Sequence, residues 1–301
     1  MHKILVTGAT GKQGGAVVRA LLASPPPYAH EILALTRNVS SPAAKSLVSK
    51  ANVTLLQGDL DDCDAIFAAA GGKGAVWGVF SVQIPSMKKG EGNKEETQGK
   101  ALVDAAVAHG VSHFVYSGVD RGGEGKSDVT PTEIPHFIAK HNIEVYLRAK
   151  AEGTEMKYTI LRPVGFMENC NNNLFGRVFA AMWLGMGARP LQLVACKDIG
   201  IFAALALSQP EEYEGKAITL VGDELTQPQG NEVFWKVFGR SMPRAYGVFS
   251  SLIQWMIPDV GTMFTWFVES GYGGDLAQCK RLNPGMLDLE AWYREESSFK
   301  R

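Results

Sequence analysis

Two lysines of this chain stand four residues after a tyrosine or histidine: Tyr146 with Lys150 in "IEVYLRAK", and His136 with Lys140 in "IPHFIAKHN". Either could be a proton-transfer pair. A phenol, with a pKa of about 10, needs a nearby ammonium to act near neutrality, whereas an imidazole at about 6.5 needs less help. Which pair does chemistry depends on which end of a helix faces a ligand. Residues 134–153 predict one helix, with Pro135 suited to its first turn. In an open parallel sheet, ligands gather at the carboxyl ends of the strands, where the crossover helices begin. His136 and Lys140 lie one turn apart near that beginning, while Lys150 is about 15 Å further along the axis. The expected pair is therefore His136 and Lys140. Tyr146 is expected to cover core, and Lys150 to be solvated near the helix C-terminus, where its charge suits the dipole.

A second set of residues indicates what the ligand would be. "VTGATGKQGG" places Gly8, Gly11 and Gly14 between a strand and a helix, with Thr10, Lys12 and Gln13 interleaved. Glycines there permit a tight turn and let backbone N–H groups approach a pyrophosphate at the helix N-terminus. This is the pattern of a dinucleotide site. Strand two ends in "LTRN", so Arg37 stands where an acidic residue would bind a ribose 2′-hydroxyl. Arg suits a 2′-phosphate, with Ser40, Ser41 and Lys45 nearby, and the expected cofactor is NADP(H) rather than NAD. Asp59 and Leu60, after strand three, would border the adenine, although Asp59 reads equally well as a helix N-cap. Gln83 and Pro85 would line the cofactor's middle portion. Lys140 would hold the nicotinamide ribose hydroxyls. Pro163, Val164, Gly165 and Phe166, after strand six, would meet the nicotinamide.

The elements that must position these groups follow from hydrophobic patterning. Apolar runs at 3–8, 30–37, 52–59, 74–82, 111–118 and 157–163 read as strands, alternating with helical stretches. Strands apolar on both faces, separated by helices, predict a parallel sheet covered on both sides. "RGGEGKSDVTPTE" reads as a polar loop and "KAITLVGDELT" (216–226) as a later strand, and the last 75 residues as mostly helical. The expected organisation is a nucleotide-binding domain over 1–163 and a smaller substrate domain over 164–301, with a chain that could cross back to the first sheet. On the substrate side, Phe166, Met167, Asn169, Asn173, Trp183 and Met186 would form a pocket roof, closed by Phe249, Trp255 and Phe264. Such a pocket suits an apolar ligand oriented by an asparagine.

Bulk properties exclude several classes. Lys and Arg number 30 against 31 Asp and Glu, for a net charge of −1. No basic stripe argues for nucleic acid. No apolar run reaches membrane-spanning length, because the longest is broken by Pro258 and Asp259. Four scattered cysteines show no metal or disulfide spacing, and the first strand begins at once, so a cytoplasmic protein without a metal is expected.

"TGATGKQGG", "LTRN", "GDLDD", "GKALVDAAVAHGVSHFVYSG", "HFIAKHNIEVYL", "YTILRPVGFMEN" and "CKRLNPGMLDLEAWYRE" together resemble the NmrA-like family of atypical short-chain dehydrogenase/reductases. The resemblance spans essentially the full length. It implies a Rossmann doubly wound parallel sheet, a smaller C-terminal α/β domain and NADP(H) as ligand. It also supports the "HFxxK" register, with His136 where a reductase of this type would have Tyr. The serine that usually partners that Tyr has its nearest counterpart in Ser117, one or two positions early, which departs from a complete Ser–Tyr–Lys set. Two functions are expected from this: an NADPH-dependent oxidoreductase acting on a hydrophobic small molecule, or an NAD(P)-sensing regulator of a protein partner.

Overall fold

The computed structural model describes residues 1–24, 29–85, 93–245 and 258–300. Seven strands form one sheet: β1 (His2–Val6), β2 (His30–Thr36), β3 (Val53–Gln57), β4 (Gly78–Ser81), β5 (His113–Ser117), β6 (Lys157–Pro163) and a later strand, Ala217–Leu220. Their order is β3-β2-β1-β4-β5-β6, with Ala217–Leu220 beyond β6. β1 through β6 pair in parallel, for example Ile4 with Ile32 and with Gly78. The order reverses between β1 and β4, which makes that junction the switch point of a doubly wound sheet.

Residues alternate across the sheet and bury both faces. Leu5, Val79, Phe114, Tyr116 and Ile160 join a core supplied by helices α3 (Cys63–Ala69), α4 (Lys94–Ala108) and α6 (Pro135–Ala151); α1 (Lys12–Ala23) and α2 (Pro42–Val48) precede these in the chain, and α5 (Glu124–Val129) falls between α4 and α6. Ile4 and Gly78 point the other way: a Cβ on Gly78 would lie 3.0 Å from Leu207 in the helix Cys196–Ser208. That helix packs on α1 so closely that a Cβ on Gly200 would meet the Ala16 carbonyl carbon at 2.5 Å. Burial on both faces explains why the strands read as continuous apolar runs.

The chain divides into two compact units. The first holds 1–118, 138–162 and 199–218, and the second holds 119–137, 163–198 and 219–301. The sequence pattern predicts a cut at residue 163, with a chain that could cross back to the first sheet. The contacts group the segment 199–218 with the first unit and 119–137 with the second, and Ala217–Leu220 joins the large sheet.

The second unit has its own three-stranded sheet, of Gly165–Phe166, Leu191–Val194 and Asp223–Leu225. Its core gathers Trp183, Phe234, Trp292 and Tyr293. The run 216–226, expected as one strand, is two. It breaks at Gly222, where a side chain would overlap the Leu287 carbonyl. The expected polar loop after β5 contains the short helix α5, and its anchor is Asp120. This fully buried carboxylate accepts from the N–H groups of Gly122, Gly123 and Gly273 and from the hydroxyls of Ser127 and Thr219.

Candidate functional site

The glycine loop sits at the switch point of the first unit. Thr7 ties the end of β1 to β4: its hydroxyl donates to the Val82 carbonyl at 3.0 Å and accepts from the Val82 N–H at 2.8 Å. Gly8 follows in the left-handed region, with φ of 58°, and its carbonyl accepts from the Gly11 N–H at 2.8 Å. Gly14 lies against that turn, and a side chain there would overlap the Gly8 carbonyl and meet the Thr7 carbonyl oxygen at 2.6 Å. Helix α1 starts at Lys12 with no side-chain cap and no acidic residue in its first turn. Its N-terminal N–H groups and dipole are thus directed at an anion site, and Thr10, Gly11 and Lys12 are exposed beside it.

Gln83 lies beyond β4 and is 4 % exposed. Its amide N–H donates to the Ser81 hydroxyl at 2.9 Å, while its Oε1 accepts no hydrogen bond among the described residues. A buried acceptor without a donor is costly, and a ligand hydroxyl or amide would satisfy it.

At the ends of β2 and β3, Arg37 is exposed. Ser41 caps helix α2 by accepting from the Ala44 N–H at 3.2 Å, so its hydroxyl is engaged locally. Asp59 is not the N-cap of α3; Asp62 is, accepting from Ala65. Asp59 instead accepts from the Asp61 N–H and weakly from Gln98, and Leu60 packs on the core. Hydrogen bonds from Lys94 and Gln98, with the charges of Lys94 and Arg37 behind them, hold the Asp61 carboxyl below its usual range.

Lys140 leaves helix α6 toward the end of β5. Its Nζ lies 2.9 Å from Glu95 Oε1, 3.4 Å from the Ser117 carbonyl oxygen, to which it donates, and 6.0 Å from the centre of the Tyr116 ring. The lysine side chain is 10 % exposed and that of Glu95 1 %. The Ser117 hydroxyl is fully buried and donates to Gln13 Oε1 at 2.7 Å. Ser117 thereby joins β5 to the glycine-loop helix instead of presenting a free hydroxyl.

The remaining expected residues belong to the second unit. His136 is half-buried, with its ring 4.8 Å edge-on from Phe137. Pro163 ends β6 and accepts from the Asp120 N–H. Phe166, half-buried, pairs with Val194. Asn169 is half-buried in a 3₁₀ turn. Asn173 caps the helix Leu174–Gly185 through the Gly176 N–H, which engages the oxygen expected to orient a ligand. Trp183, expected at a pocket, is instead fully buried in the unit's core, where a Cβ on Gly230 would meet its ring at 2.5 Å. Phe249 and Trp255 lie outside the described residues.

Tyr146 and Lys150 stand apart from this site. Both bind Asp104, the phenol at 2.7 Å and the ammonium at 2.7 Å, and the ammonium lies 5.1 Å from the phenol ring centre. Sequence reasoning missed Glu95, which reads as part of a solvated charged helix start. Glu95 and Lys140 are far apart in the chain, so no local spacing could reveal the pair. Among the described residues no group of three or more His, Cys, Asp or Glu could hold a metal, and no helix is long and apolar enough to cross a membrane.

Sheet order, glycine turn and an uncapped first helix define a Rossmann-type α/β protein. The chain belongs to the NmrA-like family, whose model matches residues 1–293. It is 34 % identical over 240 residues to the NmrA-like family domain-containing oxidoreductase FrzB of a Cladobotryum species, covering 71 % of this chain and 67 % of that one. Its fold is similar to that of Citrobacter sp. triphenylmethane reductase complexed with NADP(H), with a TM-score of 0.74, 20 % identity and coverage of 98 % and 99 %. It is also similar to NmrA, a negative transcriptional regulator solved with NAD, with a TM-score of 0.70, 18 % identity and coverage of 98 % and 95 %.

Proposed function

We propose that this chain is an NADPH-dependent oxidoreductase that reduces a carbonyl or conjugated double bond of a hydrophobic small molecule. The observation that carries the reading is the buried ammonium of Lys140 in the unit that bears the anion-binding glycine turn. The oxidoreductase names of its relatives support it. The residues fit the cofactor. The glycine turn and α1 would hold the pyrophosphate, Arg37 the 2′-phosphate, and Gln83 and Lys140 the hydroxyls near the nicotinamide. NADPH, when bound, supplies hydride. Lys140 orients the ribose and contributes positive charge, and His136 or a water delivers the proton to the substrate atom opposite the hydride.

The test is to follow NADPH absorbance with a panel of quinones, enones and aromatic aldehydes. Turnover that falls at least about tenfold in both Lys140→Ala and His136→Ala supports the centre. Full activity in both variants contradicts it. The engaged Ser117 hydroxyl and the imidazole at position 136 favour a second reading, a sensor that binds NAD(P)(H) without turnover and controls a protein partner. Tight NADPH binding with no oxidation across the panel would select it.

A further inference from the structure

We infer that Glu95 is the positioning residue for Lys140, and that the seam between α4 and α6 exists in this form to bring the two together. The inference rests on the reading of Lys140 as a cofactor-holding residue. A lysine side chain has four flexible bonds and gains most from solvation, so a buried ammonium with a fixed direction needs a fixed counter-charge. Glu95 supplies it. The carboxylate stands in the first turn of α4, where the helix dipole favours negative charge. It is almost wholly buried and lies 2.9 Å from Lys140 Nζ. Neither of its oxygens accepts a hydrogen bond among the described residues, so the ion pair with the Lys140 ammonium is the principal polar contact of this buried carboxylate.

The seam explains the distance. One turn after Glu95, Gly99 lies against Ile143 so closely that a side chain there would overlap the Ile143 Cδ1 methyl. Ile143 in turn lies three residues after Lys140 on the facing helix. Asn142 donates to Glu96 at 2.9 Å on the same seam. The glycine lets the backbones approach, and that approach carries the Glu95 carboxylate to the lysine. Paired with the Glu95 charge and donating to the Ser117 carbonyl, the ammonium keeps N–H capacity for a ligand hydroxyl.

The test is a double-mutant cycle read by NADPH fluorescence titration, with the far-ultraviolet circular dichroism spectrum of each protein as the check on folding. The variants are Lys140→Met, Glu95→Gln and the two combined. Each single change is expected to weaken NADPH binding about tenfold, and the double variant no more than either single one, because both remove the same placed ammonium. A merely structural Glu95 would give losses that multiply, which would overturn the inference. Native affinity in Glu95→Gln beside weak binding in Lys140→Met would sink the role of Glu95 and leave Lys140 standing. Native affinity in Lys140→Met would sink both. Should Glu95→Gln fail to fold, the same cycle is run with Glu95→Asp, which keeps the charge and shortens the reach, under the same criteria.

Discussion

Helices α4 and α6 are joined by two lysine–carboxylate pairs, one at each end of the same seam. Lys140 meets Glu95 at 2.9 Å with side chains 10 % and 1 % exposed. Lys150 meets Asp104 at 2.7 Å with side chains 45 % and 48 % exposed. By residue letters alone the Lys150 pair is the more catalytic of the two, because Tyr146 precedes Lys150 and shares its aspartate. By physics the Lys140 pair carries the consequence. A buried ammonium cannot exchange its partner for water, so its direction is fixed and its loss is felt. An exposed pair exchanges freely and contributes little.

The largest expected effect follows directly. Glu95→Ala leaves Lys140 buried without a counter-charge and should cost about 3–5 kcal/mol in urea denaturation. A midpoint equal to wild type would erase the contrast between the two ends. The same contrast between buried and exposed groups applies to the histidines at the amino ends of β2 and β5. Burial lowers the imidazoles of His30 and His113 from 6.5 to about 4, His30 with added repulsion from His2 and the amino terminus. Because the folded state disfavours protonation, the unfolded chain binds more protons below about 6.5. Stability is therefore full above that pH and falls as pH drops toward about 4, by up to about 3 kcal/mol for each ring. Thermal melts between pH 7 and 4 check this, and His113→Phe should flatten the slope.

Gly99→Ala, which wedges the seam beside Glu95, should cost about 1–3 kcal/mol and be relieved by pairing it with Ile143→Val. No relief would mean that the close approach is not what Gly99 serves. Lys150→Ala should leave the denaturation midpoint where it was, since that pair is solvated.

Much of the fold is legible in the sequence because its signals are local. Apolar runs fall where strands are buried on both faces, and the glycine spacing marks the turn at Gly8 and the close packing at Gly14. Helix polarity puts Lys140 nearer the start of α6 than Lys150. What is hidden depends on contacts between distant segments. Nothing near Glu95 marks it as buried, since its neighbours Lys94 and Glu96 are surface charges. The split of 216–226 into two strands turns on Leu287, and the burial of Trp183 on Gly230. Asn173 is legible as a helix cap, being followed at once by the apolar run "LFGRVFAAMW", and that local signal outweighs the ligand-orienting role expected of it.

The central claim is that the buried end of the seam, not the Tyr-x-x-x-Lys end, serves the nucleotide. Titrating NADPH into wild type, Lys140→Met and Lys150→Met tests it most directly. The account predicts affinity reduced about tenfold in Lys140→Met and unchanged in Lys150→Met. Native affinity in Lys140→Met together with a loss in Lys150→Met would contradict it.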